Sequence, residues 1–249
     1  MTARRYEGYD LIGDVHGCGL SLRMLLARLG YSKKDGVYCH PKRQVIFIGD
    51  IVDRGPHIRE ALYIVKDMVD AGHAQIVMGN HEYKGMMGGN QIDDAFLYRS
   101  AEPDTFEWVL MDRLLRGTHL KLPNGEVMVS RDGFKRRYFR TKFWANNPQR
   151  YSDVVFQPDP LPEHVARMPL TDRNRQDLYH YASTEKPLFI GHYWCEGDPL
   201  PLTNNIACID YSAVKYGKLV AYRYDYEKTL SADKFVWVDV RTEVLTKTK

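Results

Sequence analysis

The sequence of 249 residues predicts an α/β protein, an α+β sandwich with two central mixed β-sheets flanked by helices, in a single domain over residues 1–249. Three observations predict it. Four short apolar runs each end in glycine, which is typical of buried strands. Segments with apolar residues at helical spacing separate the first three runs. Asp14, Asp50 and Asn80, which follow these runs, are 36 and 30 residues apart, and this spacing suits β-α-β units with parallel strands.

The predicted elements follow one another in a regular order. Apolar runs predict strands over residues 9–12, 45–48, 75–78 and 187–190, and helical spacing predicts helices over residues 20–29, 57–71 and 104–116. For the last helix, Asp104 is the expected N-cap, with Glu107 three positions later, and Gly117 is the expected stop. Short antiparallel strands are predicted over residues 126–129, 138–144, 206–209, 219–224 and 235–240. Residues 145–175 contain five prolines and no clear period, so we expect a long surface loop there.

Composition excludes several classes of protein. Lys+Arg 35 against Asp+Glu 32 gives a net charge of +3, which is too small to indicate nucleic-acid binding. No apolar run reaches the ~20 residues of a membrane helix, and the first ten residues contain no apolar stretch typical of a secretory signal. The four cysteines lie far apart without CxxC spacing, which favours a reducing compartment. We therefore expect a cytoplasmic protein that does not act on membranes.

Five polar residues follow the predicted strands and form the candidate site: Asp14, His16, Asp50, Asn80 and His192. A lone Asp or His at a strand end is usually an ordinary loop residue, but four strand ends with the same pattern indicate a shared site. Because parallel strands end at one edge of the sheet, we expect these side chains to meet there. Carboxylate, imidazole and amide oxygen suit Mn²⁺, Fe or Zn²⁺. Asp50 follows the central strand and is the candidate to bridge two metals.

The motifs around these residues resemble a known family. They are Gly13-Asp14-Val15-His16-Gly17, Gly49-Asp50-Ile51-Val52-Asp53-Arg54-Gly55, Gly79-Asn80-His81-Glu82 and Gly191-His192. In order and spacing they are similar to the calcineurin-like metallophosphoesterases of the phosphoprotein phosphatase type. The resemblance covers residues 8–85 and 186–224. Residues 191–194 and 207–212 resemble a bacterial branch of metallophosphoesterases.

The resemblance implies two divalent metal ions, which would be manganese, iron or zinc, and a role for each site residue. Asp14, His16 and Asp50 would bind the first metal, and Asp50, Asn80 and His192 the second. A metal-bridging hydroxide would attack phosphorus in line, without a covalent phosphoenzyme. The catalytic residues implied by the resemblance are His81 to protonate the leaving group or orient the phosphate, Asp53 to hold His81, and Arg54 to bind the phosphate.

One ligand of the family pattern is missing from this sequence. The family supplies a further histidine to the second metal from a His-Gly-Gly or His-Ala segment, and none occurs between Glu82 and Gly191. Either that segment is absent, or residues 127–133 occupy its place with Ser130 where histidine is expected. Three further residues could fill the vacancy: His119, His180 and Asp132. We therefore expect the second metal site to be weaker than the first.

Three functions are compatible with these motifs. The first is a serine/threonine-type phosphoprotein phosphatase acting as a phosphomonoesterase, favoured because Glu82 follows His81 and because Asp53 and Arg54 are both present. The second is a hydrolase of dinucleoside polyphosphates of the diadenosine tetraphosphate type. The third is a catalytically weakened protein that binds metal or phosphate. The expected partners are accordingly a phosphorylated protein or a small phosphate-ester or nucleotide substrate.

Overall fold

The computed structural model describes residues 6–87, 100, 102–129, 133, 135–156, 161–215 and 217–240. The chain divides into two compact units. The first unit contains residues up to 111 and from 186 onward, and the second contains residues 112–185. This division into compact units does not test the single domain predicted over residues 1–249, which stays a prediction. Among the described helices, none combines the length and the apolar character that a membrane span requires.

The first unit begins with β1 (Gly8–Ile12), α1 (Gly19–Arg28), β2 (Ser32–Lys34), β3 (Val37–Cys39), β4 (Arg43–Phe47), α2 (Ile58–Asp70), β5 (Ala74–Ile76) and α3 (Asn80–Met87). The division falls within α4 (Phe106–Arg116). The second unit contains β6 (His119–Lys121), β7 (Met128–Val129), β8 (Lys135–Arg136), β9 (Tyr138–Arg140), α5 (Tyr151–Val154), α6 (Glu163–Arg167) and α7 (Asp172–Asp177). The first unit then resumes with β10 (Leu188–Ile190), β11 (Ile206–Cys208), β12 (Asp210–Tyr211), β13 (Lys218–Tyr224) and β14 (Phe235–Asp239).

A six-stranded mixed sheet is the centre of the first unit. Its order is β12-β13-β1-β4-β5, and β14 pairs with β13. As predicted, β1, β4 and β5 are parallel neighbours, whereas β13 runs antiparallel to β1. This confirms the mixed α/β class. Within the described residues the other sheets are two-stranded, so the second central sheet of the prediction is smaller than expected.

Helical spacing places the apolar faces of α1 and α2 against this sheet. Leu22, Leu25 and Leu26 of α1 are fully buried in one cluster with Phe47 of β4. The buried apolar face of α2 is narrower than the helical spacing of its apolar residues indicates, because Leu62 is 46% exposed. Burial of three leucines stabilises the α1 contact by roughly 1.5–3 kcal/mol for each side chain.

Two local features differ from the sequence prediction. The β2–β3 hairpin between α1 and β4 was not predicted, although its turn contains Asp35 and Gly36, which both have positive φ and match the Asp-Gly signal of a tight hairpin. The N-cap of α4 is Thr105 rather than Asp104, because the Thr105 hydroxyl accepts a hydrogen bond from Trp108 N at 3.1 Å. Asp104 lies one residue too early, in a left-handed conformation.

The predicted surface loop over residues 145–175 is wrong. Three short helices, α5, α6 and α7, begin within it, and five of its side chains are buried in one cluster with Leu120 and Phe139: Tyr151, Val154, Val155, Val165 and Leu170. Local capping explains why such short helices form. Thr171 and Asn174 make reciprocal cap hydrogen bonds at the start of α7, and Asp153 accepts from two backbone N–H groups at the start of α5.

Candidate metal centre

The loops that follow β1 and β4 are joined through their backbones at the carboxyl edge of the sheet. His16 N donates to Asp50 O at 2.8 Å, and Gly17 N donates to Ile51 O at 2.7 Å. Gly55 N closes the arrangement by donating to His16 O at 2.8 Å. His16, Asp50 and His192 all have positive φ, an unfavourable backbone conformation for such residues that is common at functional sites.

Two glycines allow the loops that follow β5 and β10 to approach the carboxylates of Asp50 and Asp14 closely. A Cβ at Gly79 would lie 2.3 Å from both the N and the Oδ1 of Asp50. A Cβ at Gly191 would lie 2.3 Å from Asp14 Oδ1. Any side chain at these positions would therefore displace the carboxylates that the sequence identifies as ligands.

Hydrogen-bond acceptors converge between these loops. His16 Nδ1 lies 3.2 Å from the Val52 carbonyl, which can only accept, so the proton is on Nδ1 and Nε2 carries the lone pair. That Nε2 lies 3.9 Å from Asp14 Oδ2 and from Asp50 Oδ2. The buried Asn80 Oδ1 has no hydrogen-bond partner among the described residues. Lone pairs that face one another in this way fit divalent cations, so the residues present suit the metals that the sequence implies.

Burial sets the protonation of this cluster. Asp14, His16 and Asp50 are only 3–5% exposed. Burial, reinforced by the Arg54 charge, lowers the pKa of His16 to about 4, so its imidazole is neutral and able to bind metal at neutral pH. Burial raises the pKa of Asp14 well above its usual range, and the nearby Asp210 and Asp50 carboxylates raise it further. Burial also raises the pKa of Asp50. The raised pKa values of Asp14 and Asp50 indicate that the surrounding protein groups do not fully stabilise the negative charges of these carboxylates.

His81 lies beside the cluster, held by the two residues that the sequence associates with it. Its Nδ1 lies 2.7 Å from Asp53 Oδ2, and Arg54 donates to its Nε2 at 3.1 Å. Because Arg54 can only donate, Nε2 carries the lone pair and Nδ1–H donates to Asp53. One group of three ligand atoms within 4.8 Å of one another is found in the described part of the chain, from His16, Asp50 and His81.

Glu82 holds the backbone of the loops that carry the predicted metal ligands, a role that the motifs alone do not indicate. Its Oε2 accepts from Asp50 N at 2.7 Å and from Gly79 N at 3.0 Å. Its Oε1 accepts from Ile51 N at 2.8 Å and from Val52 N at 3.2 Å. One carboxylate therefore joins the loop that carries Asp50 to the turn that carries Asn80. The motif contained this residue, but its contacts depend on backbone N–H directions that a sequence does not display.

The structure thus brings together most of the predicted site residues. His192 reaches the cluster through its backbone N–H, 3.3 Å from Asp14 Oδ2. Asp210 lies within residues 207–212, for which the sequence predicts no site role, yet its carboxylate contacts Asp14 and accepts from Ser212 N at 2.8 Å.

Four residues are candidates for the missing ligand of the second metal. Ser130 and Asp132 lie outside the described residues. His119 and His180 belong to the second unit, where His119 Nδ1 lies 3.8 Å from Asp112 Oδ2 and His180 Nδ1 lies 3.1 Å from Ala145 O. Whether any of these four supplies a ligand stays a prediction.

Comparison with known proteins agrees with this geometry. Residues 10–192 match the family model described as calcineurin-like phosphoesterase. The chain belongs to this family. It is therefore related to hydrolases that use divalent metals, and the resemblance seen in its motifs is confirmed.

Curated relatives match almost the whole chain. A bis(5'-nucleosyl)-tetraphosphatase PrpE [asymmetrical] of Geobacillus thermodenitrificans is 31% identical over 240 residues, which are 89% of this chain and 92% of the relative. A protein of the same name from Bacillus mycoides is 41% identical over 90% of this chain and 93% of the relative. A solved serine/threonine phosphatase from Saccharomyces cerevisiae is 12% identical with a TM-score of 0.42, covering 92% of this chain and 78% of that chain.

Proposed function

We propose that this protein hydrolyses phosphoanhydride bonds in dinucleoside polyphosphates, with dinucleoside tetraphosphates as the substrate class. The observation that carries the proposal is the similarity to a named bis(5'-nucleosyl)-tetraphosphatase across 92% of that relative's length. The convergent acceptors around His16 and the neighbouring Arg54 support chemistry on phosphate groups.

Glu82 bears on the choice between the two enzyme functions. In the sequence, its position after His81 favours a phosphoprotein phosphatase. In the structure its carboxylate accepts from four backbone N–H groups, so it organises the loops and does not offer itself to a substrate. The presence of Glu82 therefore carries no information about the substrate. The phosphoprotein phosphatase reading stays an unconfirmed prediction, and the relatives favour its alternative.

The side chains of this chain have separable roles in such a reaction. Asp14, His16 and Asp50 would hold one metal, and Asp50, Asn80 and His192 would hold another. When bound, these ions would polarise the phosphoryl oxygens and lower the pKa of the attacking water. Arg54 would bind the phosphate through its planar guanidinium, which requires its contact with His81 Nε2 to be exchanged for a phosphate oxygen.

His81 would then be free to handle a proton at Nε2. Asp53 accepts the Nδ1 proton and so fixes the orientation of the ring, and the same hydrogen bond lowers the pKa of Asp53, which therefore stays ionised. The protonated Nε2 would donate to the leaving oxygen. A nucleoside phosphate is a less demanding leaving group than a serine alkoxide, so the dependence on His81 would differ between the two substrate classes.

The test compares two substrates on one preparation. Purified protein with Mn²⁺ is given diadenosine tetraphosphate or a phosphothreonine peptide, and nucleotide products and released phosphate are quantified. We expect kcat/KM to be roughly 100-fold higher for the dinucleotide, the scale by which a site built for one substrate rejects another. The reverse preference would support the phosphoprotein phosphatase, and no turnover of either substrate at saturating Mn²⁺ would support the weakened binding protein.

A control variant shows that the measured turnover belongs to this site. His81→Ala is expected to lower kcat on diadenosine tetraphosphate by roughly 10²–10⁴-fold, the usual cost of losing a general acid. Metal binding should remain, and the loss should be smaller on p-nitrophenyl phosphate, because nitrophenolate leaves with little need of a proton. Unchanged turnover in this variant would show that a contaminating hydrolase had been measured.

A further inference from the structure

Two cysteine thiols contact the backbone of the loop that carries His192. Cys208 Sγ donates to the Tyr193 carbonyl at 2.7 Å, and Cys195 Sγ donates to the same carbonyl at 3.7 Å. Burial raises the pKa of the Cys208 thiol well above its usual range, and the neighbouring Cys195 raises it further. Although the sequence separates them by 13 positions without CxxC spacing, the fold places both sulfurs around one oxygen.

The backbone holds this pair in place from both sides. Cys208 ends β11, where it lies opposite Ile190 of β10, the strand that leads into His192. Cys195 N donates to Asp210 O at 2.9 Å, which fixes the other end of the loop to the start of β12. The pair therefore spans the segment that carries His192 and the segment that carries Asp210.

The two sulfurs differ in access to solvent. Cys208 is fully buried, whereas Cys195 is partly exposed. An oxidant in solution can reach Cys195 first, and the buried neighbour is then in position to attack the oxidised sulfur. This arrangement of an accessible cysteine beside a second cysteine is that of a reversible redox site.

We propose that Cys195 and Cys208 are a modification site at which hydrogen peroxide forms a reversible disulfide. The deprotonated Cys195 sulfur would attack one peroxide oxygen, giving a sulfenic acid and releasing hydroxide. Cys208 sulfur would then attack the sulfenic sulfur, and its proton would leave with the sulfenic hydroxyl as water. Together with the proton first lost by Cys195, two thiols and one peroxide give one disulfide and two waters.

The disulfide would act on the metal site through Tyr193. A disulfide has no S–H group, so the Tyr193 carbonyl would lose both of its thiol hydrogen bonds. Tyr193 directly follows His192 and is almost completely buried, which leaves its carbonyl little access to water. We expect the His192 loop to move and Mn²⁺ affinity to fall about 10-fold, which corresponds to the loss of one such hydrogen bond.

The experiment treats the full chain with hydrogen peroxide, removes the excess and measures three quantities. Thiol titration should fall from four free cysteines to two. Peptide mapping should find Cys195 joined to Cys208, and titration calorimetry with Mn²⁺ should show the weaker affinity, restored by dithiothreitol. Cys195→Ser should prevent all three changes, whereas Cys39→Ser, at a partly exposed cysteine of β3, should leave them intact.

Two results would overturn the proposal. One is four free thiols after treatment, or a bond that maps to any other pair. The other is a mapped Cys195–Cys208 bond with unchanged Mn²⁺ affinity, which would remove the connection to the metal site. If the Cys195→Ser protein fails to fold, mapping and calorimetry on the untreated and treated natural sequence still decide between these outcomes. None of these readouts depends on the substrate proposed above.

Discussion

At the scale of single residues, the Glu82 carboxylate supports the site without belonging to the predicted ligand set, because it accepts four backbone hydrogen bonds. Hydrogen bonds to a charged group contribute about 1.5–3 kcal/mol. In Glu82→Gln an amide N–H₂ replaces one oxygen and faces backbone N–H donors, so two of the four contacts become repulsive. We expect Mn²⁺ affinity to fall by roughly 10–100-fold, measured by titration calorimetry.

A matched control separates this effect from general loss of stability. Asp153 of the second unit also accepts from two backbone N–H groups, Gln149 N and Arg150 N, each at 2.9 Å. Because both groups donate to Oδ2, Asp153→Ala removes both contacts and should lower the melting temperature while Mn²⁺ affinity stays unchanged. If the two variants lost stability equally and neither lost affinity, Glu82 would be a fold residue without influence on the ligands.

The pKa values of the ligands predict how metal binding depends on pH. A protonated carboxyl group cannot bind a cation, and burial keeps Asp14 and Asp50 protonated to a higher pH than usual. Mn²⁺ affinity should therefore rise with pH above the ordinary carboxyl pKa, and binding should release protons. His16, with a pKa of about 4, is already neutral in this range and should contribute little.

Calorimetry in two buffers of different ionisation enthalpy measures the released protons. Asp50→Asn removes one titrating carboxyl and should release fewer of them. An affinity that stays constant from about pH 5 to about pH 8, with no dependence on the buffer, would contradict raised pKa values at these residues.

At the scale of elements, the parallel core and the antiparallel strands β13 and β14 could be predicted, whereas the short helices between residues 145 and 175 could not. Long apolar periods such as Leu22, Leu25 and Leu26 outweigh local preferences, because burial in one shared core decides their conformation. The helices between residues 145 and 175 are four to six residues long and depend on caps and on buried contacts far away in sequence. For the same reason, the candidate ligands could be predicted, because they follow predicted strands. The role of Glu82 could not, because it depends on the loop backbone.

The turn between β5 and α3 provides a test of close packing at this scale. In Gly79→Ala the new Cβ would meet the Asp50 backbone and carboxylate, which cannot move without displacing a metal ligand. We expect Mn²⁺ affinity to fall at least about 10-fold. Gly36→Ala is the control, because its left-handed φ costs about 1–2 kcal/mol but no atom lies within 4 Å of the new Cβ. A metal affinity lowered equally by both variants would contradict the contact argument.

At the scale of the whole molecule, metal binding is expected to be coupled to folding, because residues of four separate loops meet only in the folded chain. The first metal would have Asp14, His16 and Asp50, whereas the second would have Asp50 with the neutral donors of Asn80 and His192. Two carboxylates compensate cation charge better than one, so the two sites should differ in affinity. The protein should bind about one Mn²⁺ tightly and a second only at higher concentration.

Calorimetry and thermal denaturation together measure this difference. Free Mn²⁺ at about 100 times the dissociation constant stabilises a protein by about 2.7 kcal/mol for each site, so the melting temperature should rise again after the first equivalent is bound. Asp50→Asn should reduce both increments, because Asp50 belongs to both predicted ligand sets. Two equally tight sites in the natural sequence would contradict the unequal pair. They would show that a residue beyond Asp50, Asn80 and His192 completes the second site, for which Ser130, His119, His180 and Asp132 are the candidates to substitute in turn.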